Sequence, residues 1–155
     1  MKIKKILAPT DLSELSRAGL RYALELGKSE GAEIIAYHVI GPSEGWLAKY
    51  DDSHVPDRIA GHHKEMLAQF LKIACADLLP QVSVRHDVGF GVPYEKIVEK
   101  AAEEKADLIV MSTHGWSGLF HVLIGSVTEK VVRLARCPVL SIRPLEESVA
   151  ARVAV

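Results

Sequence analysis

The fold turns on Asp107-Leu108-Ile109-Val110-Met111-Ser112-Thr113-His114-Gly115, followed after nine residues by Gly125-Ser126-Val127-Thr128. The run Asp107 to Met111 is apolar and of strand length, and Val127 to Ala135 carries helical spacing. The stretch therefore reads as a buried parallel strand that passes through two glycine-bearing turns into a helix. Glycine lacks the Cβ that holds a ligand off the main chain, and a helix start offers unpaired N–H groups. Together the two turns predict a cradle for a phosphate.

Upstream, Ile3 with Ile6-Leu7-Ala8 makes a first strand, and Asp11-Leu12-Ser13-Glu14 opens a helix whose Leu15, Ala18, Tyr22 and Leu26 fall at helical spacing and which Gly31 closes. Glu33 to Ile40 is apolar on both faces, as expected of a strand inside a covered parallel sheet. Gly41 to Asp57 shows no period and reads as a long surface loop, whose Trp46 and Tyr50 either close over a ligand or stay exposed. A helix then runs to about Leu79, with Ile59, Met66, Phe70, Ala74 and Leu78 as its buried stripe and Pro80 as its end. Val82 to Val88 alternates with period two, the mark of a strand with one wet face near a sheet edge. Pro93 starts a third helix with Ile97, Val98, Ala101 and Ala102 on one side, and Pro138 to Arg143 supplies a fifth strand.

Strands alternating with helices in this way predict a single doubly wound α/β domain over residues 1–145. Its five-stranded parallel sheet should have the order 3-2-1-4-5, with helices on both faces. Residues 146–155 form a tail, either a frayed end or a partner-binding arm. Ligands of such sheets sit beyond the carboxyl ends of the strands, at the switch point. Three segments meet there: Pro9-Thr10-Asp11, Val39 to Gly41, and Ser112 to Gly115.

Nineteen basic residues against 20 acidic ones leave a formal charge of −1, so no broad positive face is expected for nucleic acid or a membrane surface. Cys75 and Cys137 have neither a CxxC partner nor a metal-ligand neighbour and read as buried thiols in a reducing compartment. The apolar run before Pro9 is too short for a signal core or a membrane span, which predicts a cytoplasmic location.

Each site candidate has a plain structural alternative. Ser126 with Glu129 three places on spells a capping box, so the serine either satisfies its own helix or, with Thr128, meets a phosphate. Asp11 either caps the first helix or accepts ribose hydroxyls. His114 either contacts phosphate or braces a turn, while the His62-His63 pair lacks ligand spacing and is assigned to a solvated face. The apolar segment Leu119 to Ile124 either packs onto the sheet end or a partner subunit, or walls off a pocket. No P-loop, no Gly-x-Gly-x-x-Gly after the first strand and no Gly-x-Ser-x-Gly elbow is present, and no residue is assigned as catalytic.

These residues, from Ile6-Leu7-Ala8-Pro9-Thr10-Asp11 through His38-Val39-Ile40 to Pro138-Val139-Leu140, resemble the universal stress protein family. Its diagnostic pattern is Gly, two residues, Gly, nine residues, Gly, then Ser or Thr, and Gly115, Gly125 and Ser126 match it. The resemblance implies a five-stranded adenine-nucleotide-binding α/β fold, usually homodimeric through the last strand, here Val139 to Arg143. It also implies that Pro9, Thr10 and Asp11 border adenine and ribose and that Val39 presents backbone groups to the base. Ser112, Thr113, His114, Gly115, Trp116, Ser117 and Gly118 would surround the phosphates together with Gly125, Ser126, Val127 and Thr128. Two positions depart from the pattern: Ser112 replaces the first glycine, and Trp116 stands where a basic residue is common.

The leading expectation is a homodimeric sensor or regulator in stress response that binds ATP, alone or with magnesium or manganese. Two alternatives remain open at this point: a nucleotide-free dimeric interaction module, and a slow ATP hydrolase or phosphotransferase working through Asp11 or His114.

Overall fold

The computed structural model describes residues 2–42, 55–114 and 124–144. In chain order its elements are β1 (Lys5–Pro9), α1 (Arg17–Glu30), β2 (Glu33–Ile40), α2 (Val55–Cys75), a 3-10 turn (Leu79–Gln81), β3 (Val84–Phe90), α3 (Pro93–Glu103), β4 (Leu108–Ser112), α4 (Ser126–Leu134) and β5 (Val139–Ile142). The strands pair in the order β3-β2-β1-β4-β5, and every pair is parallel. The sheet is thus the doubly wound one the alternating pattern predicts.

Period two divides each strand between two cores. Ile6, Ala8, Ile34, Ala36, Leu108 and Val110 face the layer that α1 and α2 complete with Leu20, Leu24, Leu67 and Leu71. Leu7, Ile35, Tyr37, Ile109 and Met111 face the opposite layer, which Ile97 and Ala101 of α3 and Val131 of α4 cover. The central β1 and β4 are buried along almost their whole length, while the edge strand β3 is half-exposed throughout. That contrast reflects the uninterrupted apolar runs of the first two against the alternation of the third.

Several local expectations need correction. The first helix begins at Arg17, six residues after Asp11, because residues 11–16 form tight turns instead. Its buried stripe is Gly19, Leu20, Ala23, Leu24 and Gly27, and Tyr22 is exposed. Small residues occupy the contact face because the helix lies close on the sheet, and a hydrophobicity pattern passes over them. Gly31 does cap the helix, in the left-handed conformation. On α2 the stripe is Leu67, Leu71, Ala74 and Cys75; Met66 is exposed, and the helix ends at Cys75, so the buried Leu78 lies beyond it, before Pro80. Burial pushes the Cys75 thiol up to about 11, so it remains protonated and inert. Cys137 is only half-buried. Most of the expected 41–57 loop, residues 115–123 with Gly115, Trp116, Ser117 and Gly118, and the 146–155 tail lie outside the described residues.

Candidate functional site

Three helices begin around one cavity of about 300 Å³ at the carboxyl edge of the sheet, between the ends of β1 and β4. Ser16, the N-cap of α1, Pro93, the first residue of α3, and Gly125 with Ser126 at the start of α4 all line it. The positive ends of the three helix dipoles therefore lie at this space. Among the described residues lining it, Asp11 is the one carboxylate and there is no lysine or arginine. Its polar lining is therefore made of neutral donors and helix ends, apart from Asp11.

The α4 end is held by a short network. Gly125 takes the N-cap position without any side-chain capping bond, and its N–H donates to the Thr113 carbonyl at 2.6 Å. A Cβ at Gly125 would lie 2.9 Å from that carbonyl oxygen, so only glycine allows the two segments to touch. Ser126 is consequently the first helical residue and exposed, and the capping-box reading is set aside. The buried Thr128 hydroxyl donates to the Ser112 carbonyl at 3.0 Å, which locks the first turn of α4 to the end of β4. The N–H groups of Ser126, Val127 and Thr128 have no partner within the helix, because the first intrahelical bond runs from Glu129 N–H to the Gly125 carbonyl.

Ser112, the departure from the family's glycine, turns its side chain away from this end. Its Oγ lies 2.9 Å from the Gly19 N–H and accepts from it across 93 residues of sequence. Gly19 is the third residue of α1, whose own N-cap Ser16 makes no side-chain capping bond. A residue of β4 thus caps α1.

The β1 end is built from hydroxyls. The Thr10 and Ser16 hydroxyls are 2.7 Å apart, and the Leu12 N–H donates to the Thr10 hydroxyl at 3.1 Å. Asp11 is not the cap of α1: its carboxylate accepts from the Ser13 N–H at 3.0 Å and from the Ser13 hydroxyl, forming an Asx turn. Leu12 between them is in the left-handed region at φ 63°, a strained state for leucine that the turn holds in place. The buried His38 donates from Nδ1 to the Thr10 carbonyl at 3.0 Å, and its Nε2 lies at hydrogen-bond distance from His63 Nδ1, 3.2 Å away. His63 is therefore bonded and stacked on His38, with ring centroids 5.3 Å apart, and does not belong to a solvated pair. At the β4 end, the Thr113 hydroxyl and His114 Nδ1 are 2.9 Å apart.

Pro9, Thr10, Asp11, Val39, Ser112, Thr113, His114, Gly125, Ser126, Val127 and Thr128 all line this one cavity, as the sequence placed them. The sequence reading did not include Ser16, Tyr37, Pro93, Ile97 and Met111, which complete the wall. Tyr37 lies two residues before the expected site residue Val39 on β2, so strand parity alone places it on the same face, and Met111 lies two residues before Thr113, which follows the end of β4. Burial pushes the Tyr37 hydroxyl up to about 12, and it stays neutral at any physiological pH. Among the described residues, no cluster of three or more His, Cys, Asp or Glu side chains is positioned to hold a metal ion, and no helix is long and apolar enough to cross a membrane.

A parallel doubly wound sheet with helix starts converging at its switch point defines the class: an α/β domain with a cleft at the carboxyl edge of its sheet. The sequence model of the universal stress protein family matches residues 2–143, and the chain belongs to that family. It is 36% identical over 142 residues to universal stress protein MJ0531 of Methanocaldococcus jannaschii, covering 90% of this chain and 82% of that protein. The solved structure of protein MJ0577 of the same organism superposes with a TM-score of 0.72 at 30% identity, over 94% of this chain and 99% of that one. A universal stress protein solved in complex with cAMP shares the fold at 22% identity, with a TM-score of 0.65 over 92% of this chain and 98% of that one.

Proposed function

We propose that this protein binds an adenine nucleotide, ATP in the first place, in the cleft between β1 and β4. The observation that carries the reading is the meeting of the α1, α3 and α4 starts on one cavity without any basic side chain among its described residues. The phosphates would lie against the N–H groups of Ser126, Val127 and Thr128, with Thr113 and His114 alongside and Gly115, Trp116, Ser117 and Gly118 completing the cradle. Asp11, Thr10 and Pro9 would border the ribose and adenine, and the Val39 main chain would meet the base. Magnesium or manganese would arrive on the nucleotide's own phosphate oxygens, since Asp11 already accepts from Ser13.

The protein would act as a cytoplasmic homodimeric regulator or sensor in stress response, with nucleotide shifting the population of a partner-binding form. Support for dimerisation through Val139 to Arg143 comes from β5 being an edge strand and from the exposed apolar Val132 and Leu134 on α4, the helix that leads into it. Isothermal titration of the folded protein with ATP, with and without magnesium, tests the reading. Saturable binding is expected, and no heat at millimolar ATP would refute it.

A further inference from the structure

One wall of the cavity depends on a residue that lies outside it. Tyr37 lines the cavity and is 5% exposed, whereas Gly89 of β3 does not line it. In the register of β2 with β3, Tyr37 stands opposite Asp87 and Val39 opposite Gly89. The Tyr37 ring leans diagonally toward the carboxyl end, so that a Cβ built on Gly89 would lie 2.9 Å from its Cζ and overlap the hydroxyl oxygen outright. The Gly89 backbone is not in the left-handed region, so no dihedral requirement selects glycine there. What selects it is the space the tyrosine fills. The Lys100 ammonium of α3 lies 5.7 Å from the ring centroid. The ring therefore has β3 and α3 against it and the cavity beside it.

We infer that Tyr37 and Gly89 together set the depth of the base-binding end: Tyr37 is the wall the base meets, and Gly89 is a positioning residue that acts through it. The inference rests on the adenine-nucleotide reading above and adds a specificity determinant to it. Any side chain at Gly89 must displace the ring, and displacement into the adjacent cavity takes that space from the base.

Isothermal titration of wild type, Gly89→Ala, the double variant Gly89→Ala with Tyr37→Leu, and Tyr37→Ala tests this, using ATP and 1,N6-etheno-ATP as probes and circular dichroism to establish folding. Gly89→Ala should weaken ATP binding about tenfold or more, as overpacking of a filled site does. The double variant, with no ring to displace, should bind ATP more tightly than Gly89→Ala does, the penalty of the added Cβ being relieved. Tyr37→Ala should shift the ratio of etheno-ATP to ATP affinity toward the bulkier base by about fivefold. Wild-type affinity in Gly89→Ala, or a double variant as weak as the single one, overturns the inference. If Gly89→Ala fails to fold, an unchanged base ratio in Tyr37→Ala overturns it alone. Absence of ATP binding by the wild type refutes the nucleotide reading itself and the inference with it.

Discussion

Replacing Ser112 by alanine should separate the stability of this cleft from its ligand affinity. The residue is 6% exposed, and its Oγ is the partner of the buried Gly19 N–H at 2.9 Å. Alanine keeps the Cβ and opens almost no cavity, so the main cost is a buried donor left without an acceptor, about 2 kcal/mol. For a 155-residue chain, with about 2–4 °C lost per kcal/mol, the melting temperature should fall by about 6 °C. Urea unfolding should show a lower midpoint with an unchanged slope, because the denatured state exposes the same surface. ATP affinity should stay within about threefold of wild type, since the hydroxyl points at α1 and away from the α4 amides. A melting temperature within about 1 °C of wild type would refute the capping role. A large loss of affinity at unchanged stability would show that the hydroxyl faces the ligand.

Gly125→Ala should be worse for binding than for folding: its Cβ would meet the Thr113 carbonyl at 2.9 Å, moving the first turn of α4, and ATP affinity should drop about tenfold by titration calorimetry. Acid stability should depend on Glu104, whose carboxyl is held down to about 2, from an ordinary 4.5, chiefly by the Arg85 hydrogen bonds. That contribution is fully present above pH 4.5 and is lost as pH falls toward about 2, so Glu104→Gln should flatten the decline of the urea midpoint over this window. Ser141→Pro should leave the protein monomeric in light scattering where the wild type shows the proposed dimer. The Pro138 and Ile142 carbonyls face β4, which directs Ser141 outward, so its N–H faces away from the β4 ladder, on the side where a partner strand would pair.

The sequence carried the sheet well because its information is local there. Five apolar runs separated by helical periods allow few arrangements, and β3, with its alternating Val84 to Val88, sits at the edge that alternation predicts. The glycine turns likewise announced the α4 start, since Gly125 is required by a contact one can infer from a strand-to-helix bend. What escaped the reading depends on distant partners. No local pattern tells that Ser112 reaches Gly19, 93 residues away, or that His38 bonds His63. Helix faces were misread on α1 because Gly19, Ala23 and Gly27 are buried by close approach to the sheet and not by their own hydrophobicity. Ser126 and Glu129 spelled a capping box that Gly125 made unnecessary by taking the N-cap position itself.

Titrating ATP into isotopically labelled protein while following backbone amide resonances tests the central claim most directly. Saturable shifts concentrated at Thr113, Gly125, Ser126, Val127 and Thr128, with a second group at Asp11 and Val39, are predicted. Binding that leaves these amides unmoved, or moves residues on the far end of the sheet instead, would contradict it.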